Sequence, residues 1–209
     1  IKKKLVKKND DAFPRKTPIE GDNIFDVFLY YIADCLSPFF KKLNFTPNMF
    51  TTLSFITGLL SCYYYYKKKY TLAPIFYIIS YWFDTIDGHY ARKYNMQTKF
   101  GDYYDHITDG IVSIILIILA FFNTDMPTYI KKYVAISLFI TLQWTAYHFN
   151  CVEKRNKNDK RYIKSETINF ITPTKCNDKL TITSIFNTGT VTVILSLYLY
   201  SHHYYKLKY

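Results

Sequence analysis

Charged side chains are spread so unevenly along this chain that the gaps between them dictate what it can fold into. Five stretches lack Asp, Glu, Lys and Arg: Leu43–Tyr66 (24 residues), Tyr70–Phe83 (14), Gly110–Thr124 (15), Tyr133–Val152 (20) and Leu180–Tyr205 (26). A hydrocarbon core about 30 Å thick needs about 20 largely apolar helical residues, so three stretches are long enough to span and two are not. At about 1.5 Å per residue, a helix from Tyr70 crosses only if it continues through Asp84 and Asp87 toward Arg92. The helix ending near Thr124 must likewise start near Gly101 and take Asp105 and Asp109 into its first turns. Both helices then carry carboxylates inside the span, where an ionisable group costs about 2.5 to 3.5 kcal/mol on insertion scales and marks a functional site by default.

Whole-chain averages conceal this pattern. The mean hydropathy of -0.08 and the 49% apolar content resemble those of a soluble globular protein. With 20% aromatic residues and only 6 Gly and 7 Pro, disordered and collagenous readings are excluded. Cys35, Cys62, Cys151 and Cys176 show neither a CxxC pair nor a small-scaffold spacing, so a packing role is expected for them. The net charge of +11 is concentrated in Lys2, Lys3, Lys4, Lys7, Lys8, Arg15 and Lys16, in Arg92, Lys93 and Lys99, and in Lys154, Arg155, Lys157, Lys160, Arg161 and Lys164. With a cytosolic N-terminus, all three clusters fall on the cytosolic side, as the positive-inside rule expects, while Lys67, Lys68, Lys69, Lys131 and Lys132 oppose it. Because the basic clusters flank spans, a nucleic-acid partner is not expected.

The resulting fold class is all-α: a polytopic integral membrane helical bundle of 5–6 transmembrane helices with an N-terminal amphipathic interfacial helix. Residues 1–21 form a basic arm without signal-peptide character, and Ile1 in place of Met suggests a trimmed start. Residues 22–43 place Ile24, Phe25, Phe28, Leu29, Ile32, Leu36 and Phe39 or Phe40 at helical spacing, the pattern of a helix lying on the membrane face. Asp22 or Asn23 would cap it, and Ser37-Pro38 and Thr46-Pro47-Asn48 are expected breaks. Residues 44–209 make the transmembrane domain, in which Glu153–Lys179 reads as a polar loop.

The polar block runs D-T-I-D-G-H-Y-A-R-K-Y-N-M-Q-T-K-F-G-D-Y-Y-D-H-I-T-D from Asp84 to Asp109. Asp84 and Asp87 are three apart, and Gly101, Asp105 and Asp109 follow at intervals of four, so each helix presents two carboxylates on one stripe. If the stripes face each other, repulsion among four acids is tolerable only with cations between them, and hard oxygen ligands select Mg²⁺, Mn²⁺ or Ca²⁺. Gly88, Ala91 and Gly101 leave room beside these acids for a diphosphate, and Arg92 offers a planar fork suited to phosphate oxygens. Spacing alone thus points to metal-assisted phosphoryl transfer in a membrane.

The same segment matches the signature D-x2-D-G-x2-A-R-x8-G-x3-D-x3-D at every fixed position, and so resembles the CDP-alcohol phosphatidyltransferase family, enzymes of phospholipid biosynthesis of the EC 2.7.8 type. The resemblance implies two divalent ions, Mg²⁺ or Mn²⁺, on Asp84, Asp87 and Asp105, with Asp109 beside the metals as the general base. It implies that Gly88 and Arg92 contact the cytidine nucleotide, with Ala91 and Gly101 lining the same site. The implied reaction is attack by a deprotonated hydroxyl on the phosphorus of a CDP-activated substrate, with release of CMP. It also implies a homodimer, an endoplasmic-reticulum or related endomembrane location with the site facing the cytosol, and six spans rather than five. The sixth would hide in Tyr162–Pro173, or the chain is truncated or divergent.

Branch assignment rests on smaller marks. P-N-x-x-T at Pro47 to Thr51 and the Asp105-His106 pair resemble the choline and ethanolamine phosphotransferases, which join a CDP-amino-alcohol to diacylglycerol. Thr98-Lys99-Phe100-Gly101 instead resembles the inositol branch, which uses CDP-diacylglycerol. The balance favours CDP-choline or CDP-ethanolamine with diacylglycerol. The alternatives are a CDP-diacylglycerol-dependent synthase of the phosphatidylinositol type and a non-catalytic scaffold of the same fold. His106 is expected to assist the base or bind the headgroup, or simply to bond a neighbour on its helix face. Glu153 and His148 are further candidates to approach the site from a third helix.

Overall fold

The computed structural model describes residues 24–122, 127–129, 131–137, 139–140, 151 and 188–208. Five helices organise them: α1 (Ile24–Lys42), α2 (Pro47–Tyr66), α3 (Leu72–Lys93), α4 (Lys99–Phe122) and α5 (Thr188–Lys208). Residues 131–137 and 139–140 are also helical, and no strand occurs among the described residues. The basic arm, His148, Glu153, the Glu153–Lys179 segment and Tyr162–Pro173 lie outside the described residues.

Helix ends follow local chemistry. Asn44, Lys68 and Asn95 adopt left-handed backbone angles (φ 56, 55 and 53) just beyond α1, α2 and α3, the usual way a helix is stopped. The backbone N–H of Met96 reaches back to the Ala91 carbonyl at 2.8 Å, closing α3. Pro47 begins α2, where its missing N–H is not needed. The expected break at Ser37-Pro38 does not occur, because α1 runs through Pro38. Pro38 cannot donate to the Asp34 carbonyl four residues back. That carbonyl instead accepts from Ser37 Oγ at 2.8 Å and from Lys93 Nζ on α3 at 3.3 Å.

The bundle is centred on α2 and α3, with α4 packed on α2, and α1 and α5 packed on α3. Small residues allow the close approach. Ser54 Oγ donates to the Ser80 carbonyl at 2.9 Å and Ser80 Oγ returns the bond to the Ser54 carbonyl at 2.8 Å, while Ser61 Oγ donates to the Ala73 carbonyl at 2.8 Å. Such small, hydroxyl-bearing contacts suit helices whose surroundings supply no hydrophobic drive for association. One core cluster joins Cys62, Tyr65, Tyr70, Ala73, Val112, Leu116 and Leu199; a second joins Ala33, Phe50, Ile86 and Tyr90. Cys62 packs as expected, whereas Cys151 is disulfide-bonded, which corrects the packing role assigned to it.

Among the described residues one helix, α4, is long and apolar enough to cross a membrane, with a mean hydropathy of 1.9 over its best window. Of the five spans expected from charge gaps, Tyr133–Val152 lies largely outside the described residues. In the described helices α2, α3 and α5, Ser, Thr, Tyr and, in α3, carboxylates interrupt the apolar runs, so freedom from charge does not translate into high hydropathy. The outward face of α4 is apolar, with Ile107, Ile114, Ile118 and Phe122 all exposed.

Gly58 sits at a close approach of α2 to both α4 and α3. A Cβ there would lie 2.8 Å from Val112 Cγ2 and 3.1 Å from Ser80 Oγ, and a valine side chain cannot swing aside. Replacing Gly58 by Leu is expected to cost about 1 to 3 kcal/mol of stability, the usual range for overpacking. The thermal midpoint of the detergent-purified protein measures it. Gly58→Ala combined with Val112→Ala should lose less than the sum of the single changes, because the clash is pairwise.

Candidate metal centre

The two helices carrying the signature run past each other as the charge gaps require. α3 continues unbroken through Asp84 and Asp87 to Lys93, and α4 starts at Lys99, ahead of Asp105 and Asp109. Thr98 Oγ1 accepts the Gly101 N–H at 3.0 Å, capping the start of α4.

Carboxylate oxygens of Asp84, Asp105 and Asp109 all lie within 4.8 Å of one another. Asp84 thus faces both Asp105 and Asp109 across the α3–α4 gap. Asp105 Oδ1 is buried with no hydrogen-bond partner among the described residues, while Asp109 lies on the open side of the group. Two ionised carboxylates about 4 Å apart repel by about 4 kcal/mol at an effective dielectric of about 20. An all-oxygen trio with an orphaned buried oxygen fits a hard divalent cation such as Mg²⁺ or Mn²⁺.

Asp87, the fourth expected ligand, is not one of this trio. It is 6% exposed and accepts from Thr51 Oγ1 of α2 through Oδ2 at 2.5 Å. Gly88 and Arg92 meet: a Cβ on Gly88 would lie 3.1 Å from Arg92 Nη1, so the missing side chain leaves room for the guanidinium, where sequence reasoning expected room for a diphosphate. Arg92 Nε is buried with no protein hydrogen-bond partner among the described residues. Ala91 is buried one residue before it. Gly101 faces α2, where a Cβ would lie 3.1 Å from Asn48 Oδ1. His106 Nδ1 is 2.7 Å from the Asp102 carbonyl and 3.9 Å from Asp105 Oδ2, the placement of a helix-face histidine that borders the acids.

Sequence reasoning missed the contribution of α2. Thr51 binds Asp87, and the Thr52 hydroxyl is 3.1 Å from the Tyr104 hydroxyl on α4. The signal was present in the P-N-x-x-T spacing, which puts Asn48, Thr51 and Thr52 on one helical turn. It also missed Tyr77, two turns before Asp84, which hydrogen-bonds Thr192 of α5 and lies near Asp84 and Asp109.

With this geometry in place, comparison with known proteins assigns the family. The profile of the CDP-alcohol phosphatidyltransferases matches residues 44–206. The chain belongs to the CDP-alcohol phosphatidyltransferase family. Among curated relatives, a CDP-diacylglycerol–inositol 3-phosphatidyltransferase of Candida albicans is 32% identical over 117 residues, covering 53% of this chain and 44% of that one. An archaetidylinositol phosphate synthase of Pyrococcus horikoshii is 34% identical over 70 residues, covering 34% and 37%. The CDP-diacylglycerol–inositol 3-phosphatidyltransferase of Rattus norvegicus is 28% identical over 108 residues, covering 52% and 50%. The chain thus spans half or less of the length of these relatives. No solved structure matches it.

These relatives are inositol-type, which moves the reading away from the amino-alcohol branch. The structure supplies a reason: Thr51 and His106, which suggested that branch, contact Asp87 and a backbone carbonyl. Neither contact is specific to a headgroup.

Crowded carboxylates make a signed prediction about stability. In EDTA, Asp105→Asn is expected to melt at or above the wild-type midpoint, because it removes repulsion. Mg²⁺ at about 100 times its Kd is expected to stabilise the wild type by about 2.7 kcal/mol and to do so far less for Asp105→Asn. Differential scanning fluorimetry of the detergent-purified protein reads both effects.

Proposed function

We propose that this protein is a membrane-embedded CDP-diacylglycerol-dependent phosphatidyltransferase whose acceptor is inositol or a similar polyol. The observation that carries this reading is the trio of Asp84, Asp105 and Asp109 on two neighbouring helices, with Arg92, about two turns beyond Asp84 on α3, carrying a buried nitrogen that has no protein hydrogen-bond partner among the described residues. The inositol-type relatives support the choice of acceptor.

In the proposed reaction Arg92 receives an oxygen of the donor diphosphate, and Gly88 keeps the space beside it free of side-chain bulk. Asp109, on the open side of the trio, takes the proton of the acceptor hydroxyl. The hydroxyl oxygen forms a bond to the phosphorus carrying the diacylglycerol, the bond from that phosphorus to the bridging oxygen breaks, and CMP leaves with the electron pair. Divalent ions held by Asp84, Asp87, Asp105 and Asp109 would neutralise the diphosphate charge. His106, whose Nδ1 is engaged by the Asp102 carbonyl, borders the acids without a direct part in the proton transfer.

The membrane setting is part of the proposal. The apolar outer face of α4 suits lipid, and so does α1, which buries Leu29, Ala33 and Ser37 against the bundle while exposing Phe28, Tyr31 and Phe39. With α1 at the interface, the site faces the cytosolic side of an endomembrane.

The test is CMP release by purified membranes given Mg²⁺ or Mn²⁺ and either CDP-diacylglycerol with inositol, or diacylglycerol with CDP-choline or CDP-ethanolamine. CMP is expected from the first pair. Release from an amino-alcohol donor instead reverses the branch, and none with any donor overturns the enzyme. Asp109→Asn is expected to lower turnover by about 10² to 10⁴, the usual contribution of a general base.

A further inference from the structure

Thr51 departs from a habit that Thr52, Thr57, Thr85 and Thr108 share. A helical threonine ordinarily gives its hydroxyl proton to the carbonyl four residues back. Thr52 does so to Asn48 at 2.8 Å, Thr57 to Leu53 at 2.7 Å, Thr85 to Tyr81 at 2.9 Å and Thr108 to Tyr104 at 3.0 Å. Thr51 is 3.4 Å from the Pro47 carbonyl but 2.5 Å from Asp87 Oδ2 on a different helix. It has one proton to give, and the shorter contact to a charged acceptor takes it. Thr51 is 2% exposed and Asp87 6%, so water does not compete.

A buried carboxylate next to three others needs a donor that restrains it without filling its coordination capacity. Thr51 meets that need, because it has a single proton to give and engages one oxygen, Oδ2. The adjacent Thr52 extends the contact of the same turn to Tyr104 on α4, so the first turn of α2 touches both acid-bearing helices.

We infer that Thr51 is a positioning residue of the metal centre, orienting Asp87 as a ligand through the Thr51 Oγ1 to Asp87 Oδ2 hydrogen bond. This rests on the metal-dependent reading above and extends it to a residue outside the D-x2-D-G-x2-A-R-x8-G-x3-D-x3-D signature.

The test measures metal binding and not turnover. Full-length protein purified in detergent is titrated with Mn²⁺, and free Mn²⁺ is followed by electron paramagnetic resonance. Wild type is expected to bind saturably and Asp105→Asn to lose that binding. Thr51→Val, which keeps the shape and removes the hydroxyl, is expected to raise the Kd about 10-fold or more, as loss of a group orienting a ligand does. Thr51→Ser, which keeps the hydroxyl, should stay near wild type, and so should Thr52→Val, which loosens the same turn without touching Asp87. Thr51→Ala repeats the test if the valine variant does not purify. Wild-type affinity in Thr51→Val, with Asp105→Asn still defective, overturns the inference and leaves the metal centre standing. Equal losses in Thr51→Ser or in Thr52→Val overturn it as well. Absence of saturable Mn²⁺ binding in wild type overturns the metal centre itself, and the inference with it.

Discussion

Mutual repulsion among carboxylates crowded between α3 and α4 is the constraint around which the rest of the molecule is arranged. Oxygens of Asp84, Asp105 and Asp109 within 4.8 Å of one another would drive the helices apart unless something else held them. Much of that holding comes from α2, which packs on both. Its Ser54 exchanges hydrogen bonds with Ser80, its Gly58 admits Val112, and its first turn reaches Asp87 and Tyr104. The acids can therefore be close because the backbone around them is clamped by contacts that a cation does not supply.

Several other polar groups in the bundle are managed by bonding to a neighbouring helix. Pro38 removes a donor from α1, and the orphaned Asp34 carbonyl is taken up by Ser37 and by Lys93. Lys93 also pairs with the Asp34 carboxylate, so the defect in α1 becomes its attachment to α3, next to Arg92. At the other end, Tyr65 and His202 share a buried hydrogen bond of 3.0 Å that ties α2 to α5. Interhelical polar contacts of this kind suit a bundle whose outer faces are apolar.

Family membership and headgroup choice stand on different footings. The first follows from eight fixed residues at fixed spacing and a family match over residues 44–206. The second depends on residues that recognise an acceptor, and the marks first used for it turn out to serve the scaffold. Thr98 caps α4, Thr51 holds Asp87, and His106 bonds a backbone carbonyl. Residues that build a site do not discriminate among substrates that the site can accept.

Much of the arrangement was legible in the sequence because charge is costly away from water. That cost forced α3 through Asp84 and Asp87 and forced α4 to begin before Asp105, and helical periodicity put the acids on common stripes. Sequence reasoning read Gly88 as room for a diphosphate, and only the folded chain brings the Arg92 guanidinium against it. What the sequence could not show was which oxygens meet. Asp87 turns toward Thr51 while Asp84 crosses to Asp105 and Asp109, because the packing of α2 between the two helices decides which acids face each other. The continuation of α1 through Pro38 was hidden for the same reason, since the lysine that bonds the freed carbonyl lies 59 residues away. Local pattern determined the helices and their acids; contacts between residues far apart in the chain decided their orientation.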